Sequence, residues 1–298
     1  MTAAARSDEP AAGAPAAPRP GPAPGRNRRR RARRRAVRLQ LACLAVTVYM
    51  ALPIYLIALA ALSTRDSLNQ FPLPLLPTHF STETMRSFLS LVGVVPGFTN
   101  SLQVGLTTLA LSLLIGVPAG YGVARYVFRG RDAYQLFMLL TRALPIVVLS
   151  VPLAELFLNV GLYDTLYGVT LLHTALALPT TVLITSAIFV AVPRDHEEAA
   201  TVFGATPLQA FGRVVLPQAL PGIAAAALFT FVTSWNEVLG AAILTLNRRT
   251  LPAQVLATLG DSPLPYRFAG GLALVLPALL FVALMRKYLL SMWSSTLR

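Results

Sequence analysis

The stretch EEAATVFGATPLQAFGRVVLPQALPG, residues 197–222, stands between two segments that are each apolar enough to cross a bilayer. Its spacing predicts two short helices joined by a bend. Asp195, just upstream, suits an N-cap with Glu198 three residues on, and both acids favour the positive helix N-terminus. Gly204 falls where a helix commonly ends in a left-handed residue. Thr206 then suits a second N-cap, with Pro207 at the first helical position and Gln209 at the third. Leu216-Pro217 is expected to close this second helix. Ala199, Ala200, Val202, Phe203, Leu208, Phe211 and Val214 supply an apolar face. That face packs either beneath the flanking segments or in a groove on another protein.

Outward from this stretch, composition sets the class. Of 298 residues, 55% are hydrophobic and only 12% charged, too few charges to cover a water-facing surface. Six apolar runs occupy residues 39–62, 102–124, 133–156, 166–192, 221–246 and 268–285. Each reaches the roughly 17–25 residues that a helix needs to cross a bilayer. Backbone amides in lipid must bond within the segment, so the expectation is an all-α integral membrane protein with six transmembrane helices. Prolines within the runs are tolerated there and mark kinks.

The net charge of +13 is unevenly placed. With the N-terminus inside and the sides alternating, 19 basic residues fall in cytoplasmic segments and five in external ones, with Arg142 left inside a run. The positive-inside rule therefore predicts both termini in the cytoplasm of a multi-pass cell-membrane protein. Residues 1–36, Pro/Ala/Gly-rich and then arginine-rich, are expected to be a disordered basic tail. The arginines next to a span read as an orientation signal touching anionic lipid, ahead of a nucleic-acid site. Ala58-Leu59-Ala60 resembles a signal-cleavage motif, but the run before it is too long, so an uncleaved first span is expected. The proline-rich segment 71–80 reads as an irregular external lid, and the lone Cys43 implies neither disulfide nor metal.

Glu198-Ala199-Ala200, three residues, Gly204, nine residues, Val214, one residue and Leu216-Pro217 form a long, position-specific pattern. It resembles the EAA loop of ABC-transporter membrane subunits from bacterial importers. The resemblance implies that loop 193–217 is a cytoplasmic coupling loop seated in a cleft of a separate ATPase. Glu198 would pair with a basic group there, Ala199, Ala200 and Ala205 would permit close approach, and Gly204 would supply the bend. Leu216 and Pro217 complete the motif. FTNSLQVGLTTLALSLLIGVPAGYGVARY (98–126), LPIVVLSVPLAELFLNVGLYDT (144–165) and SWNE (234–237) are similar to the maltose-type carbohydrate importers, specifically their six-span, MalG-like subunit. The likeness covers roughly residues 96–288. It implies a first span and external loop over 37–95, a permease core over 96–290 and a cytoplasmic end over 291–298. It also implies ATP and Mg2+ used by partner ATPase subunits, a second permease subunit and an extracytoplasmic solute-binding protein, with no cofactor on this chain.

Arg142, Trp235, Asn236 and Glu237 are the candidates for a solute path, because ionisable groups within spans usually face protein or a water-filled cavity. Arg142 reads better as a partner of Glu237 or of carbonyls freed by Pro145. For Asn236 and Glu237 structural and solute-facing roles stay open, with Trp235 offering a face to a sugar ring. His173 reads as a packed helix residue. No zinc spacing, phosphate-binding glycine loop or nucleophile with its base is present, so the chain is not expected to be an enzyme. Phe203, where many sugar-type loops carry Asp, supports the alternative of a polyamine, thiamine or inorganic ion as solute. An ion-coupled secondary transporter would want paired half-helices with intramembrane acids, and only Glu237 lies deep enough.

Overall fold

In the computed structural model, which describes residues 26–64, 76, 80–260 and 262–296, the third apolar run is not one helix. It divides into α4 (Arg131–Thr141) and α5 (Ser150–Asn159), defined below with their neighbours. Pro145 explains the break: it has no N–H to give to the carbonyl four residues back, and its ring disfavours helix at Leu144. The chain crosses the gap in tight turns, with Ala143 N–H donating to Leu140 O at 3.0 Å and Val148 N–H to Pro145 O at 3.0 Å. Pro152 does no such damage, because it lies in the first turn of α5.

The remaining elements are helices too. They are α1 (Arg26–Ala61), α2 (Glu83–Leu89), α3 (Val94–Arg125), α6 (Leu166–Ala191), α7 (Arg194–Val202), α8 (Pro207–Ala210), a π-helical turn (Phe211–Val215), α9 (Leu216–Trp235), α10 (Leu239–Leu244), α11 (Leu251–Leu259) and α12 (Leu264–Thr296). No strand occurs among the described residues beyond one isolated bridge, Ser63 to Phe80. Among the described residues five helical stretches are long and apolar enough to cross a membrane: Arg34–Ala61, Val94–Arg125, Leu166–Ala191, Pro207–Trp235 and Leu264–Tyr288. The remaining run of the six expected to cross, 133–156, holds no such helix and is occupied by the broken pair α4 and α5. Helix α1 begins at Arg26, inside the segment expected to lack structure; arginine is a good helix former and extends a span already begun. The tail before Arg26 and most of the lid-like segment 71–80 lie outside the described residues.

The chain falls into two units, one ending at Leu52 and one starting at Pro53. In the first, α1 from Arg34 to Leu52 is exposed all round. In the second, α3 packs chiefly on α6. Lipid tails are as apolar as leucine, so helices in a membrane associate through close packing and hydrogen bonds, the latter averaging about 0.6 kcal/mol each. Both devices appear here. Ser112, Gly116 and Gly120 line one face of α3, and a Cβ added at Gly116 would come 2.7 Å from Thr181 Cγ2. Across the same seam Thr185 Oγ1 donates to Gly116 O at 3.0 Å, and on its own helix to Thr181 O at 2.7 Å, while the hydroxyl of Thr181 meets that of Thr230 of α9 at 2.9 Å. Two apolar clusters flank the seam. One, around Val117, Phe189, Val215 and Ile223, sits at the α7 end. The other, around Val104, Val169, Leu172 and Ala241, sits where α10 meets α6.

Candidate functional site

Helix α7 starts one residue before the expected cap. Pro193, with φ −58 and ψ 135, precedes its first turn, and no side chain caps it, so Asp195 lies inside the turn and the box with Glu198 does not form. Asp195 and Glu197 still place negative charge by the helix N-terminus. The bend is as expected. Gly204 has φ +86, its N–H donates to Thr201 O at 2.9 Å, and Ala205 N–H donates to Ala200 O at 3.0 Å. These are the two bonds of a Schellman ending. A Cβ at Gly204 would meet nothing within 4 Å, so the glycine is needed for its backbone and not for lack of room. Thr206 caps α8 reciprocally with Gln209, and Pro207 occupies the first turn.

Leu216-Pro217 does not close the second helix. The chain passes from α8 through the π turn into α9 without a stop, and Leu216 N–H donates to Phe211 O. A π turn spreads the carbonyls just ahead of Pro217, which relieves the clash that a proline ring makes in a regular helix. The second helix of the loop is thus the start of the long apolar stretch Pro207–Trp235.

The apolar face expected on this bent pair is split. Ala210 and Val215 are buried and Phe211 is half-buried, yet Val202 is 83% exposed, Phe203 90% and Leu208 79%. The exposed three cluster at the bend beside Ala199, which is also exposed, while Ala200 and Ala205 are half-buried. The two adjacent glutamates part company as well. Glu198 is exposed. Glu197 Oε2 forms an ion pair with Arg125 Nε at 3.0 Å, and its Oε1 accepts from the Tyr121 hydroxyl. Sequence reasoning passed over Glu197, since nothing local marks which of two neighbouring acids turns inward.

Of the four candidates for the solute path, the structure brings two to one place. Glu237 lies where α9 stops and α10 starts. It accepts from Gly240 N–H at 2.9 Å, Ala241 N–H at 3.1 Å and His173 Nε2 at 3.1 Å, with its side chain 14% exposed. His173 Nδ1 lies 2.9 Å from Ser234 Oγ. The partner of Glu237 is therefore His173, and Arg142 is exposed at the end of α4. Asn236 is exposed beside Glu237 at the break. Trp235 offers no open face: it is 1% exposed, stacks on Phe231 at 5.9 Å, meets Phe98 edge-on at 6.0 Å and donates to Leu274 O at 2.9 Å. Ile146, in the α4–α5 gap, lies beside Gly240, so the two helix breaks adjoin.

A third polar knot lies at the far end. Asp164, at φ +55, accepts from the N–H groups of Leu246, Asn247 and Arg248 at 2.9–3.0 Å and from Asn247 Nδ2 at 2.9 Å. Burial works to raise its pKa, but these donors outweigh it and hold the carboxyl at about 2. Asn100 Nδ2 donates to Arg249 O at 3.0 Å, and Leu251 N–H donates to Ser101 Oγ at 2.7 Å. Among the described residues no three His, Cys, Asp or Glu gather to hold a metal.

Long apolar helices, two adjoining helix breaks with polar residues, and a bent helical pair with an apolar tip define a helical membrane-transport subunit. Residues 112–290 match the family of binding-protein-dependent transport system inner membrane components, and the chain belongs to that family. It is the permease of a binding-protein-dependent ABC importer, a non-catalytic, multi-pass inner-membrane subunit. It is similar to the trehalose transport system permease protein SugB of Mycobacterium tuberculosis, at 34% identity over 63% of this chain and 71% of that protein. It is 30% identical to the diacetylchitobiose uptake system permease protein DasC of Streptomyces coelicolor, over 82% of this chain and 91% of that one. Its fold is shared with a bacterial ABC transporter that imports the acidic polysaccharide alginate: TM-score 0.66, 21% identity, 90% of this chain and 99% of that chain.

Proposed function

We propose that this permease forms, with a second permease subunit, the membrane path for a sugar or oligosaccharide, and that loop 193–217 docks the ATPase that drives it. The exposed apolar tip of Val202, Phe203 and Leu208 carries the docking reading, because a connector that merely packed under its own spans would bury those side chains. Glu198, Ala199, Ala200, Gly204 and Ala205 form or flank that tip, and Leu216 and Pro217 join it to the fifth span. ATP and Mg2+ belong to the ATPase subunits, and an extracytoplasmic binding protein delivers the solute. The sugar assignment rests on the relatives named for trehalose and diacetylchitobiose transport. Asn236 and Glu237 are placed on the path, at the break in the fifth span.

The topology completing this reading has six crossings, with α4 and α5 together making the third and both termini cytoplasmic. Segment 37–95 supplies the first span and external loop, and 96–290 the permease core. Purifying the permease with its binding protein and identifying the bound solute tests the central assignment. A mono- or oligosaccharide is expected. A polyamine, thiamine or inorganic ion in its place would overturn the sugar reading.

A further inference from the structure

Two glutamates stand side by side in the loop, and the fold gives them opposite surroundings. Successive residues on a helix point about 100° apart, so neighbours cannot share a face. Glu198 faces out from α7. Glu197 faces back, onto the last turn of α3.

The contacts there are reciprocal. Arg125, the last residue of α3, pairs with Glu197 at 3.0 Å, with side chains 7% and 18% exposed. Its Nη2 also donates to Val192 O, at the end of α6, at 3.0 Å. In return Arg194, the first residue of α7, donates to Arg125 O at 3.2 Å. One turn earlier on α3, the Tyr121 hydroxyl donates to Glu197. The Tyr121 ring is packed by Phe189 of α6 at 5.5 Å, edge-on, and by Phe211 of the π turn at 4.5 Å.

Helix α7 continues the chain from α6 and leads into α9, so its motion reaches both through the backbone. It has no such connection to α3, which lies 69 residues upstream across the Arg125–Arg194 contact. Its direct contact with that span is made by side chains. The Arg125–Glu197–Tyr121 cluster is the polar link between the two, and it is screened from water, where charges interact more strongly than at an open surface.

We propose that Glu197 is a positioning residue for transport: it transmits displacement of the coupling helix to α3 through Arg125 and Tyr121, while its neighbour Glu198 serves the docking face. The proposal rests on the reading of loop 193–217 as the ATPase dock. It separates two functions within one dipeptide, binding the motor and moving the path.

The test uses the whole transporter, permeases, ATPase and binding protein, purified together and reconstituted in liposomes. Two quantities are read: the amount of ATPase retained, and the rise in ATP hydrolysis when the solute-loaded binding protein, as purified, is added. Glu197→Gln is expected to retain the ATPase at wild-type stoichiometry and to lose about fivefold or more of the stimulation, a coupling of the size found between contacting residues. Tyr121→Phe removes only the hydroxyl, leaves the ring packed, and is expected to lose about twofold. Arg125→Glu is expected to fail like Glu197→Gln, and the reversed pair Glu197→Arg with Arg125→Glu to recover at least half of the stimulation. Full stimulation in both Glu197→Gln and Tyr121→Phe overturns the proposal. So does loss of the ATPase from either one, which would make the cluster part of the dock or a mere staple. Glu198→Lys in the same series tests the underlying reading separately: it should release the ATPase, and its retention would sink the docking assignment whatever Glu197 does.

Discussion

The carboxylate of Glu237 lies 3.1 Å from His173 Nε2 at the point where helix α9 stops and, three residues on, α10 begins. The same carboxylate receives the first free amides of α10, from Gly240 and Ala241. It thus does two jobs, capping a helix fragment and tying it to α6.

Removing it should be costly. Glu237→Ala leaves two amides and an imidazole without their partner, and an unsatisfied buried group costs about 1–3 kcal/mol. Glu237→Gln keeps one acceptor oxygen and should lose less. Ser234→Ala removes a single hydroxyl contact and should cost only about 0.6 kcal/mol, the average for such bonds in membranes. Thermal unfolding of the detergent-purified protein ranks the three. An order in which Ser234→Ala is the most damaging would mean that His173 is held from the Ser234 side.

Gly204 should tolerate asparagine and reject valine. A side chain there enters open space, so the left-handed backbone is what matters. Asparagine visits that region readily, whereas β-branched residues pay about 1–2 kcal/mol or more. Gly204→Asn should keep the ATPase on purification, while Gly204→Val reaches the membrane at near-normal abundance and loses it. Equal retention by both would separate the bend from docking.

Gly120 and Gly122 should behave oppositely despite lying two residues apart. A Cβ at Gly120 would fall against Thr185 Oγ1 and 2.9 Å from the backbone N of Ser186, whereas one at Gly122 meets nothing within 4 Å. Overpacking of that kind costs about 1–3 kcal/mol. Gly120→Ala should lower the unfolding midpoint and membrane abundance, and Gly122→Ala should leave both unchanged. A stable Gly120→Ala would show that α3 and α6 part without penalty.

Asp164 predicts an acid-sensitive turn over residues 246–249. Its folded pKa of about 2 lies below the ordinary 3.8, so the carboxylate's contribution is complete above about pH 4 and fades as pH falls through 2. At pH 7, Asp164→Ala should free the turn 246–249 and speed tryptic cleavage at Arg248 and Arg249. Amide exchange at Leu246, Asn247 and Arg248 should differ most between wild type and variant at neutral pH and converge toward pH 2. A difference that grew on acidification would mean that the carboxylate is not what orders the turn.

Much of this protein was legible without coordinates. The long apolar helices follow from a one-dimensional quantity, since lipid forces every amide to bond within its own segment. The bend at Gly204 and the cap at Thr206 were legible for a similar reason: capping is a contract between residues within five positions of one another. Pro145 was visible too, but its effect was not. Whether a proline kinks a membrane helix or ends it depends on how the neighbouring backbone bonds, and here tight turns on both sides of Pro145, to Leu139 O and Leu140 O before it and to Pro145 O and Ile146 O after it, replace the helical pattern. Pro217 went the other way, absorbed by a π turn that no spacing rule announces.

What only the tertiary structure decided is the assignment of polar residues to partners. Glu197 and Glu198 are chemically identical and adjacent, and only the placement of α3 beneath α7 picks out Glu197 for Arg125. His173 and Glu237 lie 64 residues apart, and Asp164 and Leu246 lie 82 apart. Trp235 looked available for a ligand until Phe231 and Phe98 were seen to pack it. The amino-acid sequence by itself determined the membrane class and the local grammar of loop 193–217, because those depend on the solvent and on near neighbours. Packing decided which charges meet, because a side chain's orientation on a helix acquires meaning only when another helix is laid against it.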